Sequence, residues 1–163
     1  RKNCRGSTIF FRTVKQRSHI MKVLLVSIFA AALYIFSNFA VAKNIQIEFT
    51  EDDSYSIEVA RIQVGDTIEW LPKNEGHNVE FLAGPEVHSL PPKSKIDESY
   101  SVVFESPGVY LYGCTPHANM GMLGLVIVDN DLHNLESIKQ IELPPVATAV
   151  LRRLIRIAQS HTK

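Results

Sequence analysis

The chain has 163 residues, and its 17 Lys+Arg balance its 17 Asp+Glu. That balance conceals an asymmetry: residues 1–42 hold seven of the basic side chains and none of the acidic ones, so residues 43–163 carry ten basic against seventeen acidic groups, a net charge of −7. A segment this acidic excludes nucleic-acid recognition, which depends on Lys and Arg neutralising phosphates, and its 121 residues make one domain rather than several.

The first elements in chain order are targeting ones. Residues 1–20 are basic and show no period; they read as translated sequence upstream of the true start, with a native extension as the alternative, and Cys4 would then be absent from the mature protein. Met21-Lys22 opens the apolar run Val23 to Phe36, broken only by Ser27, and Ala40-Val41-Ala42 supplies small residues at −3 and −1. This is the pattern of a secretory signal peptide over residues 21–42, cut before Lys43. The run falls short of the roughly 20 apolar residues a spanning helix needs. An uncleaved anchor is the alternative; after cleavage, no membrane association is expected. The predicted destination is the periplasm.

From Lys43 onward most of the chain reads as strands. Ile45, Ile47 and Phe49 alternate with polar neighbours, the period of a half-buried strand. Glu51-Asp52-Asp53-Ser54 predicts a turn before a strand over Tyr55 to Val59. Val64-Gly65-Asp66 is a second turn, followed by a strand over Thr67 to Leu71 that stops at Pro72. Lys73 to Gly76 is a polar loop, Asn78 to Leu82 a short strand, and residues 83–95, with Gly84, Pro85, Pro91 and Pro92, a long irregular connection. Tyr100 to Phe104, Val109 to Gly113 and the apolar β-branched run Leu123 to Val128 complete the strands. Short strands separated by turn signals every 8 to 12 residues predict a β-sandwich or barrel.

The period then changes. Asn134 is placed to cap a helix over 134–141 that carries Leu135, Ile138 and Ile141 on one face. Pro144-Pro145 ends it, and Pro145 suits the first turn of a second helix over 145–159. Val146, Val150, Leu151, Leu154, Ile157 and Ala158 form its apolar stripe, with Arg152, Arg153 and Arg156 away from it. The stripe is expected to pack on the sandwich; a helix lying on a membrane is the alternative.

The candidate site lies in Cys114-Thr115-Pro116-His117-Ala118-Asn119-Met120-Gly121-Met122, taken with Gly76-His77-Asn78. Residues 43–163 hold a single Cys, and an unpaired thiol in an exported domain is a liability unless it has a task. Cys114, His77, His117 and one Met offer a thiolate, two imidazoles and a weak thioether, the donor set of a blue-copper electron-transfer site. Met122 is the choice for the axial position on loop length, and Met120 reads as a surface apolar contact or a packing residue. Zinc is the rival metal, but structural zinc takes four Cys or His ligands and catalytic zinc keeps a water position. His88, His133 and His161 read as solvated, Asp97, Glu98 and Glu105 as solvated faces, and Trp70, Tyr110 and Tyr112 as strand core. No Ser-His-Asp or Cys-His catalytic set is evident, so catalytic residues are not expected.

Gly76-His77-Asn78-Val79-Glu80, Lys93-Ser94-Lys95-Ile96 and Cys114-Thr115-Pro116-His117 to Gly121-Met122 closely resemble pseudoazurins, bacterial periplasmic proteins of cupredoxin fold, and the likeness extends over nearly all of residues 43–163. The resemblance implies an all-β, cupredoxin-like Greek-key sandwich of about eight strands with two C-terminal α-helices. It implies one type 1 copper held by His77, Cys114 and His117 with Met122 axial. Asn78 would aim its backbone N–H at the Cys114 sulfur and tie its side chain to Thr115, and Tyr110 would form the family's tyrosine corner. The His117 edge would be the contact surface, ringed by Met120 and Pro116 and approached past Lys93 and Lys95. A monomer meeting copper nitrite reductase or c-type cytochromes transiently is implied as well. Glu75 and Gly113 stand where pseudoazurins commonly carry Lys, which weakens the positive face. Two other readings stay open: a module that stores or delivers copper, and a sandwich that uses the loop to bind a protein without metal.

Overall fold

The computed structural model describes residues 41–86 and 90–160. The upstream segment 1–20, the expected signal peptide up to residue 40, His88 and His161 lie outside the described residues. Seven strands and two helices follow in the unit from Ala42 onward: β1 Asn44–Glu48, β2 Val59–Ile62, β3 Thr67–Leu71, β4 Glu80–Ala83, β5 Tyr100–Val103, β6 Gly108–Gly113, β7 Leu123–Val128, α1 Leu135–Lys139 and α2 Pro145–Ser160. One sheet has the order β1-β3-β5 and the other β2-β7-β6-β4. The pairs β1/β3 and β2/β7 are parallel; β3/β5, β4/β6 and β6/β7 are antiparallel. This is the expected β-sandwich with two C-terminal helices.

Two details differ from the sequence reading. The strand expected over Tyr55 to Val59 is divided. Tyr55 makes a single antiparallel bridge to Phe49, and regular pairing begins only at Val59, where the chain meets Leu125 of β7. The count among the described residues is therefore seven strands rather than eight. Asn134 sits at the start of α1, but its side chain does not cap it. Its Oδ1 accepts from Val109 N–H at 2.8 Å and its Nδ2 donates to Val109 C=O at 2.8 Å. A buried amide that satisfies a strand end in both directions outweighs a cap it would make on one side only.

Every residue of β6 and β7 is buried. The alternation explains this. Tyr110, Tyr112, Cys114, Met122, Val126 and Val128 face the core between the sheets, where Ile47, Trp70 and Phe104 meet them. Val109, Leu111, Leu123, Leu125 and Ile127 face the other way, onto a second core closed by Leu135, Ile138, Ala147, Leu151, Leu154, Ile155 and Ala158 of the helices. The unbroken apolar run Leu123 to Val128 is thus a strand covered on both faces. The buried stripe of α2 is slightly rotated from the predicted one: Ile155 is buried, whereas Val146 is exposed beside Gly121. No described helix is long and apolar enough to cross a membrane.

Candidate metal centre

Cys114 directly follows β6 and keeps the parity of Tyr110 and Tyr112, so its thiol points into the sandwich. The chain then turns sharply. His117 N–H donates to Cys114 C=O at 3.0 Å, Ala118 N–H to the same oxygen at 2.6 Å, and a single 3₁₀ turn, Ala118–Met120, follows. Gly121, at φ +108°, reverses the chain so that Cys114 N–H bonds Met122 C=O at 3.1 Å and β7 can start. A side chain is strained in that backbone region, and a Cβ there would lie 2.9 Å from Val150. His77 comes from the loop before β4, after Gly76 at φ +88°.

These two loops bring three donors together. Cys114 Sγ lies 3.7 Å from His77 Nδ1 and 3.5 Å from His117 Nδ1, and the two Nδ1 atoms are 3.1 Å apart. Among the described residues this is the one cluster of three His, Cys, Asp or Glu side chains spaced to hold a metal ion. A point equidistant from the three atoms is about 2.0 Å from each, the length of a metal–imidazole bond. The donor triangle therefore fits a transition metal ion, and its thiolate–imidazole chemistry is that of type 1 copper. Met122 is buried under the same loop, while Met120 is 60% exposed.

The electrostatics suit a bound cation. Burial pushes the Cys114 thiol up from its ordinary value, more strongly than the N–H groups of Asn78 and His117 draw it down. Burial and the neighbouring His117 hold the His77 imidazole below the usual histidine value, against the pull of Asp53 and Asp97. A cation supplies the deprotonation that burial withholds from the thiol.

Asn78 ties the two loops to each other. Its Oδ1 accepts from Thr115 N–H at 2.8 Å, and its Nδ2 donates to Thr115 Oγ1 at 3.0 Å and to Ser94 C=O at 3.3 Å. Tyr55 Oη donates to Asn78 C=O at 3.1 Å from across the core. Tyr110 Oη donates to Ser106 C=O at 3.2 Å, the tyrosine-corner contact. Pro116 is exposed next to His117, whose side chain is 22% exposed. Lys93 and Lys95 are exposed and each has a carboxylate beside it: Lys93 Nζ is 3.9 Å from Glu80, and Lys95 Nζ is 3.2 Å from Glu98.

A family model for copper-binding proteins of the plastocyanin/azurin type matches residues 42–129. The chain belongs to the plastocyanin/azurin family of copper-binding proteins. A putative pseudoazurin of Rhizobium leguminosarum bv. viciae is 42% identical over 85 residues, covering 52% of this chain and 56% of that protein. The pseudoazurin of Paracoccus pantotrophus is 43% identical over 90 residues, 53% of this chain and 61% of that protein. The solved structure of a pseudoazurin from Sinorhizobium meliloti matches with a TM-score of 0.64 at 31% identity, covering 74% of this chain and 98% of that one. The matched segments span only about three-fifths of these two curated relatives' length. The likeness to pseudoazurins read from the sequence is borne out, and so is copper as the cofactor.

One contributor was missed by sequence reasoning. Asp97, read as part of a solvated face, turns its carboxylate onto the His77 loop. Its Oδ1 accepts from Gly76 N–H at 2.6 Å and His77 N–H at 3.2 Å, and its own N–H returns to His77 C=O at 2.9 Å. The signal available was weak: a lone Asp just past Lys93-Ser94-Lys95 in a polar stretch.

Proposed function

We propose that this protein is a periplasmic electron carrier, exported by a signal peptide over residues 21–42 that is cut before Lys43, with residues 43–163 as the functional domain. The observation that carries the reading is the largely buried donor triangle of His77, Cys114 and His117, drawn from two cross-tied loops. Copper held there supplies a one-electron Cu(I)/Cu(II) couple. His77, Cys114 and His117 would be its strong ligands, and Met122, itself buried, would be the weak fourth one. Asn78 and Thr115 keep the two loops in register, so the donors need not move when charge changes. His77 and Cys114 are 3% and 0% exposed and keep water out. His117 alone of the three offers an edge to a partner, framed by the exposed Pro116 and Met120. The domain acts as a monomer and is not an enzyme.

The partners proposed are redox proteins of the same compartment, copper nitrite reductase or c-type cytochromes, meeting the His117 face in small, short-lived contacts. With a glutamate beside each of Lys93 and Lys95, that face steers a partner less by positive charge than by its apolar centre. A copper-storage role is separated from this one by following electron transfer and metal release together. The copper-loaded protein, reduced with ascorbate, is mixed with oxidised cytochrome c in the presence of a mild chelator. The carrier reading expects the cytochrome to be reduced and the copper to stay; loss of copper to the chelator without electron transfer would favour delivery.

A further inference from the structure

The turn Glu51–Ser54 was read only as a connection, yet it places a carboxylate beside the donor triangle. Asp53 Oδ1 lies 3.6 Å from His77 Nε2 and 3.9 Å from His117 Nδ1. Among the described residues these two imidazoles are its ion-pair neighbours. Lys73, Lys93 and Lys95 pair with other carboxylates, Glu48, Glu80 and Glu98 in turn.

The position is built rather than incidental. Asp53 adopts φ +51°, a left-handed conformation that Asp and Asn tolerate best among residues with a side chain. The turn is closed by Thr50 N–H to Ser54 C=O at 2.9 Å, by the Thr50 and Ser54 hydroxyls at 2.6 Å, and by the Phe49–Tyr55 bridge. Three contacts then fasten this turn to the His77 loop. The Phe49 ring meets the His77 ring edge-on at 5.7 Å, Asn74 Nδ2 donates to Phe49 C=O at 2.7 Å, and Tyr55 Oη donates to Asn78 C=O. The carboxylate is held against both imidazoles from outside the two ligand loops.

We propose that the Asp53 carboxylate acts on the metal centre through its negative charge, which favours Cu(II) over Cu(I) and so lowers the reduction potential. The inference rests on the copper reading above. At 3.6 and 3.9 Å the carboxylate acts through its charge rather than a hydrogen bond, and one negative charge near the site stabilises the more positive oxidation state. Asp53 is about half exposed, so solvent screens part of this.

The test is a redox titration of the copper-loaded protein and of Asp53→Asn, Asp53→Glu and Glu51→Gln, followed by the blue absorption band. Asn preserves the size of the side chain and tolerates the left-handed backbone. With Asp53→Asn the Cu(II)/Cu(I) ratio at a fixed potential is expected to fall about tenfold, a rise of roughly 59 mV for a one-electron couple. Asp53→Glu should recover at least half of that change. Glu51→Gln removes the same charge from the same turn and should move the ratio less than threefold. An Asp53→Asn protein within twofold of wild type would overturn the inference. So would a Glu51→Gln protein shifted as far, which would reduce the effect to net charge. Loss of the blue band in Asp53→Asn alone would make Asp53 a structural residue and overturn it too. Absence of the band in the wild-type protein would instead sink the copper reading itself.

Discussion

Truncating Asn78 to alanine removes the amide that joins the two ligand loops, and its cost can be worked from three hydrogen bonds. Asn78 is 3% exposed. The substitution breaks the 2.8 Å bond from Thr115 N–H, the 3.0 Å bond to Thr115 Oγ1 and the 3.3 Å bond to Ser94 C=O. A net hydrogen bond is worth about 1 kcal/mol. Thr115 is exposed, so its groups regain water, whereas the Ser94 carbonyl belongs to a buried residue and is left unsatisfied. The expected loss is about 2–3 kcal/mol. The assay is guanidinium unfolding of the metal-free protein. With a denaturant slope of about 4 kcal/mol/M for a domain of this size, the midpoint should fall by roughly 0.6 M with the slope unchanged. A double-mutant cycle with Thr115→Ala isolates the side-chain bond, since the Thr115 N–H survives that change. A coupling of about 0.5–1 kcal/mol is expected. A midpoint shift below about 0.1 M, or a coupling indistinguishable from zero, would refute the view that Asn78 cross-ties the site.

Three further predictions concern the scaffold. Asp66 accepts from Lys43 N–H at 2.7 Å and Gln63 N–H at 2.8 Å, which hold its carboxyl below the ordinary value. Its stabilising contribution is therefore full above the unfolded value of about 3.9 and is lost as the pH falls through the lower folded value; Asp66→Asn should flatten acid unfolding in that range, and an unchanged acid limb would contradict the assignment. Gly124 faces Tyr112 so closely that a Cβ would sit 2.3 Å from the ring; Gly124→Ala should cost about 2–3 kcal/mol by overpacking, and a melting temperature within a degree of wild type would count against the packing described. Arg153 makes two 2.6 Å bonds to Glu58, fastening α2 beside β2. Both groups are partly exposed, so Arg153→Ala should cost only about 0.5–1 kcal/mol in thermal unfolding, with a smaller loss at high salt.

The donors and most of the sandwich are legible in the sequence because both depend on local pattern. Cys114, His117 and Met122 share one short loop, and the strands announce themselves by alternation or by apolar runs ended at Pro72, Pro107 or Gly113. What escaped is what only tertiary placement decides. Asn134 carries the signature of a helix cap, yet its amide finds a buried strand end instead. Asp97 and Asp53 look like ordinary turn residues, and nothing local distinguishes them from Asp52. Each gains its role from a distant segment brought against it by folding, across 20 to 24 residues for the His77 loop. Lys93 and Lys95, read alone, form a positive face, and the glutamates paired with them, Glu80 above all, are brought there by the fold.

Cys114 Sγ and the two Nδ1 atoms form one triangle of donors suited to copper. The visible absorption spectrum of the protein with one equivalent of Cu(II), before and after ascorbate, compared with Cys114→Ser, tests it most directly. The expected result is an intense blue thiolate-to-copper band that ascorbate bleaches and that Cys114→Ser lacks. A wild-type protein that stays colourless, or a band that survives the loss of Cys114, would contradict it.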